Sequence, residues 1–187
     1  MLEKQYPKEV MLKDGREVIL KTPDSSDREA LIDFYGNLSA EDRWFLKEDP
    51  TQAEVIDRWV KNHDEKRAFS VIALYGTRIV AHGALLLRPK GGRWHVGRLR
   101  IMVARDFRNN RLGIWMIVDL MRRAMELGLE KLRADFVVGI EDSAIEAVQS
   151  LDFFKEGLLR EYVLGPDGQY HDYQIMIKHL HREWGDF

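Results

Sequence analysis

The segment from Arg108 to Gly113 has the residue types of a phosphate-binding loop. It reads Arg-Asn-Asn-Arg-Leu-Gly and joins a β-rich run to a run with helical periodicity. Backbone N–H groups and the positive end of the helix dipole meet at such a junction and favour an anion. Asn109 and Asn110 tolerate left-handed backbone, and Gly113 lets a ligand approach closely. Arg108 and Arg111 could add charge-assisted contacts. The same spacing also fits a polar strand–helix turn that binds nothing.

The flanking patterns predict the elements that would position this loop. The first part of the chain is predicted as a strand over Arg16–Thr22, a helix capped by Asp24–Asp27 that ends near Gly36-Asn37, a short helix opened by Ser39 and Asp42, and a helix from Pro50-Thr51 with Val55, Trp59 and Val60 on its apolar face. The second part is predicted as strands over Phe69–Tyr75, Arg78–Leu87 and Trp94–Ala104, a long helix that ends at Gly128, a strand over Lys131–Val138, a short helix over Asp142–Ser150, and a closing hairpin of Leu158–Leu164 and Asp172–Ile177. The order β-α-α-α-β-β-β-α-β-α-β-β predicts an α/β fold, α+β by some schemes. Its sheet is mixed and mostly antiparallel, is parallel where the long helix crosses over, and has helices on both faces.

Length and composition predict a single domain over residues 1–187, with residues 1–9 and 181–187 as terminal arms. A hydrophobic content of 45% allows a substantial core. The opening residues lack a signal-peptide pattern, and the longest apolar stretch is interrupted by Arg78 and His82, so no membrane partner is expected. The absence of cysteine excludes disulfides and fits a cytoplasmic location. No metal site is predicted, because His179 and His181 lack a third ligand and fit a polar C-terminal arm.

Charge is unevenly distributed along the chain. Residues 24–65 hold twelve acidic and five basic side chains, whereas residues 98–111 hold five arginines and one aspartate. These runs fit solvated faces, and they also fit one surface for a cation and another for an anion. The net charge of −2 argues against a dedicated nucleic-acid binder.

Several segments resemble the GNAT acyltransferase superfamily, and their order along the chain agrees as well. Arg108–Gly113 is similar to its acetyl-CoA loop, Arg/Gln-x-x-Gly-x-Gly/Ala. Leu12–Lys21 resembles the opening strand of the branch that includes bacterial protein-lysine acetyltransferases. Leu151–Gly157 resembles the Leu-Gly-Phe-x-x-x-Gly segment, and Gly168–Met176 resembles the last hairpin. The resemblance spans about residues 10–180 and implies a GNAT-like fold.

The chain departs from the family pattern at four places. Arg111 stands where the loop normally has its first glycine, and Asp152 replaces the glycine of Leu-Gly-Phe. Arginine occupies the Gly97–Arg100 stretch, where many members carry a glutamate that helps to deprotonate the amine. Val148 takes the place of a tyrosine that often protonates the leaving thiolate. The resemblance therefore supports the family's fold and cofactor for this chain better than it supports the family's acid–base residues.

The resemblance implies transfer of an acetyl group from acetyl-CoA to a primary amine of a small molecule or protein, by direct attack in a ternary complex. Acetyl-CoA is the expected cosubstrate, and the expected cofactor-binding residues are Ile101, Met102, Val103, Arg108, Asn109, Asn110, Arg111, Leu112, Gly113 and Ile114. A backbone N–H around Ile101–Val103 would stabilise the oxyanion. In the family, the helices after the first strand line the acceptor side, so acidic residues 24–65 could attract a cationic amine. A homodimer is one oligomeric state compatible with the sequence.

Two side chains are candidate proton carriers. His95 could deprotonate the amine, because an imidazole titrates near neutral pH, but a strand histidine also serves structural roles. Tyr162 could protonate the thiolate, although strand tyrosines commonly pack. Glu141 and Asp142 open a helix beside the expected site, where acids usually cap.

Two further functions compete with acetyl transfer. One is a sensor or structural domain that binds an acyl-CoA without turnover, which the departures at Arg98, Arg111 and Val148 favour. The other is nucleic-acid binding through the arginines of residues 98–111, which predicts tight, salt-sensitive binding to DNA or RNA.

Overall fold

A computed structural model of the chain describes residues 6–46, 48–50, 52–61 and 67–180, without the side chains of residues 58, 60 and 61. The predicted C-terminal arm, with His181, therefore lies outside the described residues, as does the side chain of Val60. His179, predicted to start that arm, instead ends the last strand and pairs with Lys131.

Eight strands form one sheet. They are β1 (Lys8–Met11), β2 (Glu17–Lys21), β3 (Ala68–Tyr75), β4 (Arg78–Leu86), β5 (Val96–Val103), β6 (Lys131–Val137), β7 (Phe154–Leu164) and β8 (Tyr170–His179). Their spatial order is β1-β2-β3-β4-β5-β6-β8-β7. Strands β5 and β6 run parallel, and the other pairs are antiparallel. This confirms the predicted mixed, mostly antiparallel sheet.

Five α-helices accompany the sheet. They are α1 (Arg28–Gly36), α2 (Ala40–Trp44), α3 (Ala53–Lys61), α4 (Leu112–Glu126) and α5 (Asp142–Gln149), with short 3₁₀ turns at Ser25–Asp27 and Arg105–Phe107. The predicted caps are present: Asp24 and Asp27 form a capping box, and the Ser39 side chain accepts from Asp42 N–H.

Neighbouring residues of β4 show that helices pack on both faces of the sheet. A Cβ added to Gly83 would lie 3.1 Å from Met116 and 3.2 Å from Leu120, so α4 covers that face closely. The preceding residue, His82, contacts Tyr35 of α1 and Trp59 of α3. Because successive residues of a strand point to opposite faces, α1 and α3 cover the other face.

The predictions from sequence missed one strand, β1, and made another, β7, too short. Strand β1 lies partly inside the predicted N-terminal arm, and its charged residues form a strand by pairing with β2. Strand β7 begins at Phe154 rather than Leu158, because β8 is long enough to pair with this whole segment. None of the described helices is long and apolar enough to cross a membrane.

Candidate functional site

A split opens in the sheet between the parallel strands β5 and β6. The two strands pair only at Val96–Arg98 with residues 131–133, and neither of them gains another partner along that edge within the described chain. The later residues of β5, through Val103, therefore have unpaired backbone groups facing the split. The loop that leads to α4 follows the open end, and the turn that leads to α5 follows the end of β6. Ligands commonly bind in such a crevice beyond the carboxyl ends of parallel strands.

The loop of residues 104–113 places a helix N-terminus at the open end of the split. Helix α4 starts at Leu112, and the N–H of Trp115 bonds back to the carbonyl of Arg111. The N–H groups of the first helical turn have no acceptor inside the helix. A Cβ on Gly113 would meet only Val103, at 3.9 Å, which leaves open space beside these donors. The backbone at Gly113 is therefore open to close approach.

Contacts from the β1–β2 turn and from the start of β4 hold this loop in place. The Arg16 guanidinium donates to the Asp106 carbonyl at 2.8 Å and stacks 3.7 Å from the Phe107 ring centroid. Arg78 forms a two-nitrogen ion pair with the Asp106 carboxylate, at 2.8 and 3.1 Å. The Lys13 N–H also donates to the Asn110 carbonyl at 3.3 Å. Such bracing keeps the donors of the loop ready for a ligand.

Arg108 joins the loop to α2. Its Nε donates to the Val103 carbonyl at 3.0 Å, and its terminal nitrogen lies 2.9 Å from the Asp42 carboxylate. Burial alone would raise the pKa of Asp42, but hydrogen bonds from Arg108 and Ser39 hold it below its usual value. Arg108 thus already has an anionic partner, whereas we predicted that it would face a phosphate.

Glu141 lies at the end of the split, at the start of α5. Its carboxylate accepts the N–H of Val137, the last residue of β6, at 2.7 Å, and makes no capping hydrogen bond to α5. Burial raises the pKa of this carboxyl group, and the nearby Asp42 charge adds to the rise. The expectation that Glu141 caps the helix is wrong: its carboxylate contacts the end of β6 instead of the first turn of α5.

A polar cluster lies where β5 and β6 separate; it consists of Arg98, Arg100, Arg133, Asp135 and Tyr173. The Asp135 side chain is only 1% exposed and lies 2.7 Å from both Arg98 and Arg133. Arg98 also donates to the Tyr173 hydroxyl at 3.2 Å. Burial raises the pKa of Tyr173, and the Asp135 charge contributes to the rise. Sequence reasoning missed Arg133, Asp135 and Tyr173, although their alternation along β6 and β8 was a usable signal.

Arg100 differs from the other two arginines of the polar cluster. It is half-buried, and no described carboxylate lies within the 4.0 Å of an ion pair. Burial lowers the pKa of its guanidinium, and the Arg98 charge lowers it further.

The structure does not bring His95 to the open end of the split. His95 was predicted on the strand but lies in the turn before β5, where its carbonyl accepts the N–H groups of Glu130 and Lys131. Val96–Arg98 separate it from the opening, and the strand rise puts it roughly 25 Å from the loop. Its catalytic role stays a prediction.

Tyr162 lies on β7, and its ring is next to that of Tyr173 in the polar cluster. It is 65% exposed, and its ring centroid lies 5.8 Å from that of Tyr173. Of these two rings, Tyr173 is the one whose hydroxyl contacts Arg98. The role of Tyr162 as a proton donor also stays a prediction.

Both residues that replace family glycines adopt the glycine-type backbone. Arg111 has φ +67° and Asp152 has φ +60°. A left-handed conformation costs a non-glycine residue about 1–2 kcal/mol. The backbone at both departures therefore has a conformation that glycine adopts most readily. Asn109, which was predicted to tolerate this region, adopts it with φ +60°.

Five of the acidic side chains that the structure describes near α1–α3 have basic partners. Asp24 and Asp27 contact Lys21, Glu29 and Asp57 contact Arg28, and Asp42 contacts Arg108. These pairs reduce the negative field on which the prediction of a cationic acceptor depends.

The chain belongs to the Acetyltransferase (GNAT) family, because the profile of that family matches residues 30–153, more than half of its length. This confirms the resemblance noted in the sequence and identifies the protein as a member of an enzyme family of acetyltransferases.

Solved structures share the fold. An acetyltransferase of the GNAT family from Streptococcus pneumoniae has 18% identity and a TM-score of 0.76, covering 87% of this chain and 99% of its own. The GNAT domain of PAT from S. lividans has 17% identity and a TM-score of 0.75, with 92% and 96% coverage. A ribosomal-protein-alanine N-acetyltransferase from Brucella melitensis has 22% identity and a TM-score of 0.73, with 86% and 99% coverage. No curated protein sequence matches the chain.

Proposed function

We propose that this GNAT family member transfers an acetyl group from acetyl-CoA to a primary amine by direct attack in a ternary complex. The observation that carries the proposal is the split between β5 and β6, which opens onto the N-terminus of α4. The split and the N-terminus of α4 would form one continuous binding path for the cofactor. The N–H groups that could bind an anion lie at the outer end of this path, and the polar cluster lies at its inner end.

The loop of residues 104–113 is proposed to hold the pyrophosphate. Free N–H groups of Leu112, Gly113 and Ile114 would bind its oxygens, and the helix dipole would favour its charge. Asn109, Asn110 and Arg111 would line the approach. Arg108 would contact the phosphates only by sharing its guanidinium with Asp42.

The acetylated arm would extend from the loop along β5. Its amide groups could bond the unpaired backbone of Ile101, Met102 and Val103 much as an added strand would. One N–H of that stretch would then stabilise the oxyanion as the amine attacks. The thioester would lie near the polar cluster, where β5 and β6 separate.

Transfer requires a neutral amine and a proton for the departing thiolate. The amine nitrogen bonds to the thioester carbonyl carbon, the carbon–sulfur bond breaks, and the amine's proton reaches the thiolate through solvent. Water can serve because a dedicated base adds about 10²- to 10⁴-fold rather than making the reaction possible. Substitutions His95→Gln and Tyr162→Phe test the two predicted carriers: a hundredfold fall in kcat would establish either one.

The experiment for the cofactor site is Gly113→Trp, measured by calorimetry with acetyl-CoA. A Cβ at Gly113 would meet only Val103, at 3.9 Å, and a large side chain attached there would compete with the ligand for the helix N-terminus. We expect binding to be abolished, and we expect Gly113→Ala to fold normally and keep most of the affinity. Unchanged affinity in a folded Gly113→Trp protein would place the cofactor elsewhere.

A non-catalytic acyl-CoA sensor is the second candidate, because Arg98 and Arg100 occupy the stretch where the family often has a base. A thiol-release assay against a panel of amines separates the two functions. Saturable acetyl-CoA binding with no turnover on any amine would support the sensor. The predictions of a cationic acceptor, a cytoplasmic location and a homodimer stay open to direct test.

A further inference from the structure

Arg100 is a half-buried arginine without a described ion-pair partner, at a place where a substrate would pass. It lies on β5 opposite Ala84 of β4. In the described part of the chain, its guanidinium makes no hydrogen bond, and no carboxylate lies within 4.0 Å of it. Removing a guanidinium from water without giving it a partner is costly. Such a group in a crevice is a candidate for binding a ligand of opposite charge.

The neighbours of Arg100 leave the polar cluster with excess positive charge. Arg98, two residues earlier on the same face, shares the Asp135 carboxylate with Arg133. Two guanidinium groups thus already share the one carboxylate of the polar cluster, and the Arg98 charge also acts on Arg100. Glu48 attracts the Arg100 charge from a longer distance, as do the polar groups of Tyr173 and Tyr35. Glu48 has other interactions of its own, so the excess remains.

The position of Arg100 suits the acceptor rather than the cofactor's phosphates. It is four residues before Ala104, on the order of 13 Å along the strand from the loop. Arg100 pairs with Ala84, and Met102 pairs with His82, so both lie on the face that α1 and α3 cover. The family resemblance places the acceptor on that same side.

We propose that Arg100 binds a carboxylate of the acceptor, so that the substrate is an amine that carries a carboxylate close to its nitrogen, as an amino acid does. The inference rests on the proposed function. A guanidinium can bind a carboxylate through two parallel N–H hydrogen bonds, which fixes the orientation of the amine in the same substrate molecule. Arg98 already contacts Asp135 and Tyr173. Among the arginines of the polar cluster that the structure describes, Arg100 is therefore the one whose N–H donors can bind a ligand.

This arrangement also helps to explain how transfer proceeds without the family's glutamate. Nearby positive charge disfavours an ammonium ion and so lowers the pKa of the bound amine. A larger fraction of the amine is then neutral and able to attack. The carboxylate offsets the repulsion that a simple cationic amine would meet at this place.

The test compares amino acids with their amides at saturating acetyl-CoA, using release of the CoA thiol. Rates are compared at equal concentrations of neutral amine, because an amide changes the amine's own pKa. We expect the best acid to exceed its amide by tenfold or more in kcat/KM. Arg100→Gln and Arg100→Met should each remove this preference, while Arg100→Lys keeps part of it. The matched control is Arg122→Gln, an exposed arginine on α4 across the sheet, which should behave as wild type.

Three results would overturn the inference: amides that match their acids in every pair, a preference that survives both neutral variants, or a tenfold loss of acetyl-CoA affinity in them. Failure of the proposed function looks different. If acetyl-CoA binds but no amine is acetylated, transfer is refuted, and calorimetry of N-acetylated amino acids against N-acetylated amides in the presence of CoA decides the carboxylate site alone. If acetyl-CoA itself does not bind, the proposed function and this inference both fall.

Discussion

His82 shows how one buried residue couples the sheet face beneath α1 and α3 to pH. Its Nδ1 lies 2.7 Å from the Tyr35 hydroxyl, and its ring packs against Trp59 beneath α1 and α3. Burial lowers the pKa of His82 from 6.5 to about 4. The neutral ring is therefore the form that the fold stabilises.

We predict that His82 makes the protein less stable in mild acid. The unfolded chain takes up a proton near pH 6.5, whereas the folded chain takes it up only near pH 4. Stability from this group is complete above pH 6.5 and falls as the pH drops toward 4, by about 2 kcal/mol between pH 7 and 5. Urea unfolding of wild type and His82→Gln at pH 7, 6 and 5 checks this, because glutamine can still bond Tyr35 but cannot titrate. Equal slopes in the two proteins would contradict the assignment.

At Arg111, a side chain takes part in a turn that glycine would make without strain. We predict that Arg111→Gly raises the free energy of unfolding by up to about 1 kcal/mol, since the relief of strain exceeds glycine's added chain entropy. Asn109→Gly is the matched control with a smaller gain, because asparagine tolerates φ +60° well. Acetyl-CoA affinity should change by less than tenfold; a larger loss in calorimetry would show that Arg111 contacts phosphate.

Among the elements, β4 and β5 approach α4 and its following turn through glycines. A Cβ on Gly97 would lie 2.6 Å from Leu85, 2.8 Å from Leu129 and 3.0 Å from Leu132. The parallel pairing of β5 with β6 starts at the same place, since Gly97 is in register with Leu132. The base of the split therefore depends on a close approach that only glycine allows.

We predict that Gly97→Ala destabilises the fold by about 1–3 kcal/mol, because three buried leucines would have to move. Gly92→Ala is the control: it lies in an exposed turn, and its added Cβ would have nothing within 4 Å. Thermal or urea unfolding of both variants measures the difference. Equal stability of the two would mean that the leucines repack freely.

The elements also show what sequence could and could not predict. Local patterns were sufficient for α4, its stop at Gly128 and the caps at Asp24 and Ser39, because those signals lie within a few residues. The polar cluster was not predictable in this way. Arg98 meets Tyr173, 75 positions away, only because β6 and β8 lie side by side with a particular register. Likewise, the Arg108–Asp42 pair depends on where α2 packs, which no local pattern specifies.

For the whole molecule, the split has an energetic consequence. Unpaired strand edges and a free helix N-terminus are polar groups that a bound cofactor would satisfy, so ligand and fold should stabilise each other. The loop contacts the β1–β2 turn through Arg16 and α2 through Arg108, so stabilisation at the loop should extend to the N-terminal part of the described chain.

We predict that acetyl-CoA at one hundred times its Kd stabilises the folded protein by about 2.7 kcal/mol. For a chain of 187 residues, this corresponds to a rise in Tm of roughly 5–10 °C. Differential scanning calorimetry checks the shift, and hydrogen exchange should show new protection at Ile101–Val103 and in the loop of residues 104–113. A pantetheine compound that lacks the nucleotide and pyrophosphate should give a much smaller shift, because it cannot reach the helix N-terminus. In Gly113→Trp, the shift with acetyl-CoA should fall below about 1 °C; a full shift in that variant would mean that the molecule binds its cofactor away from the split, and protection confined to other strands would show where.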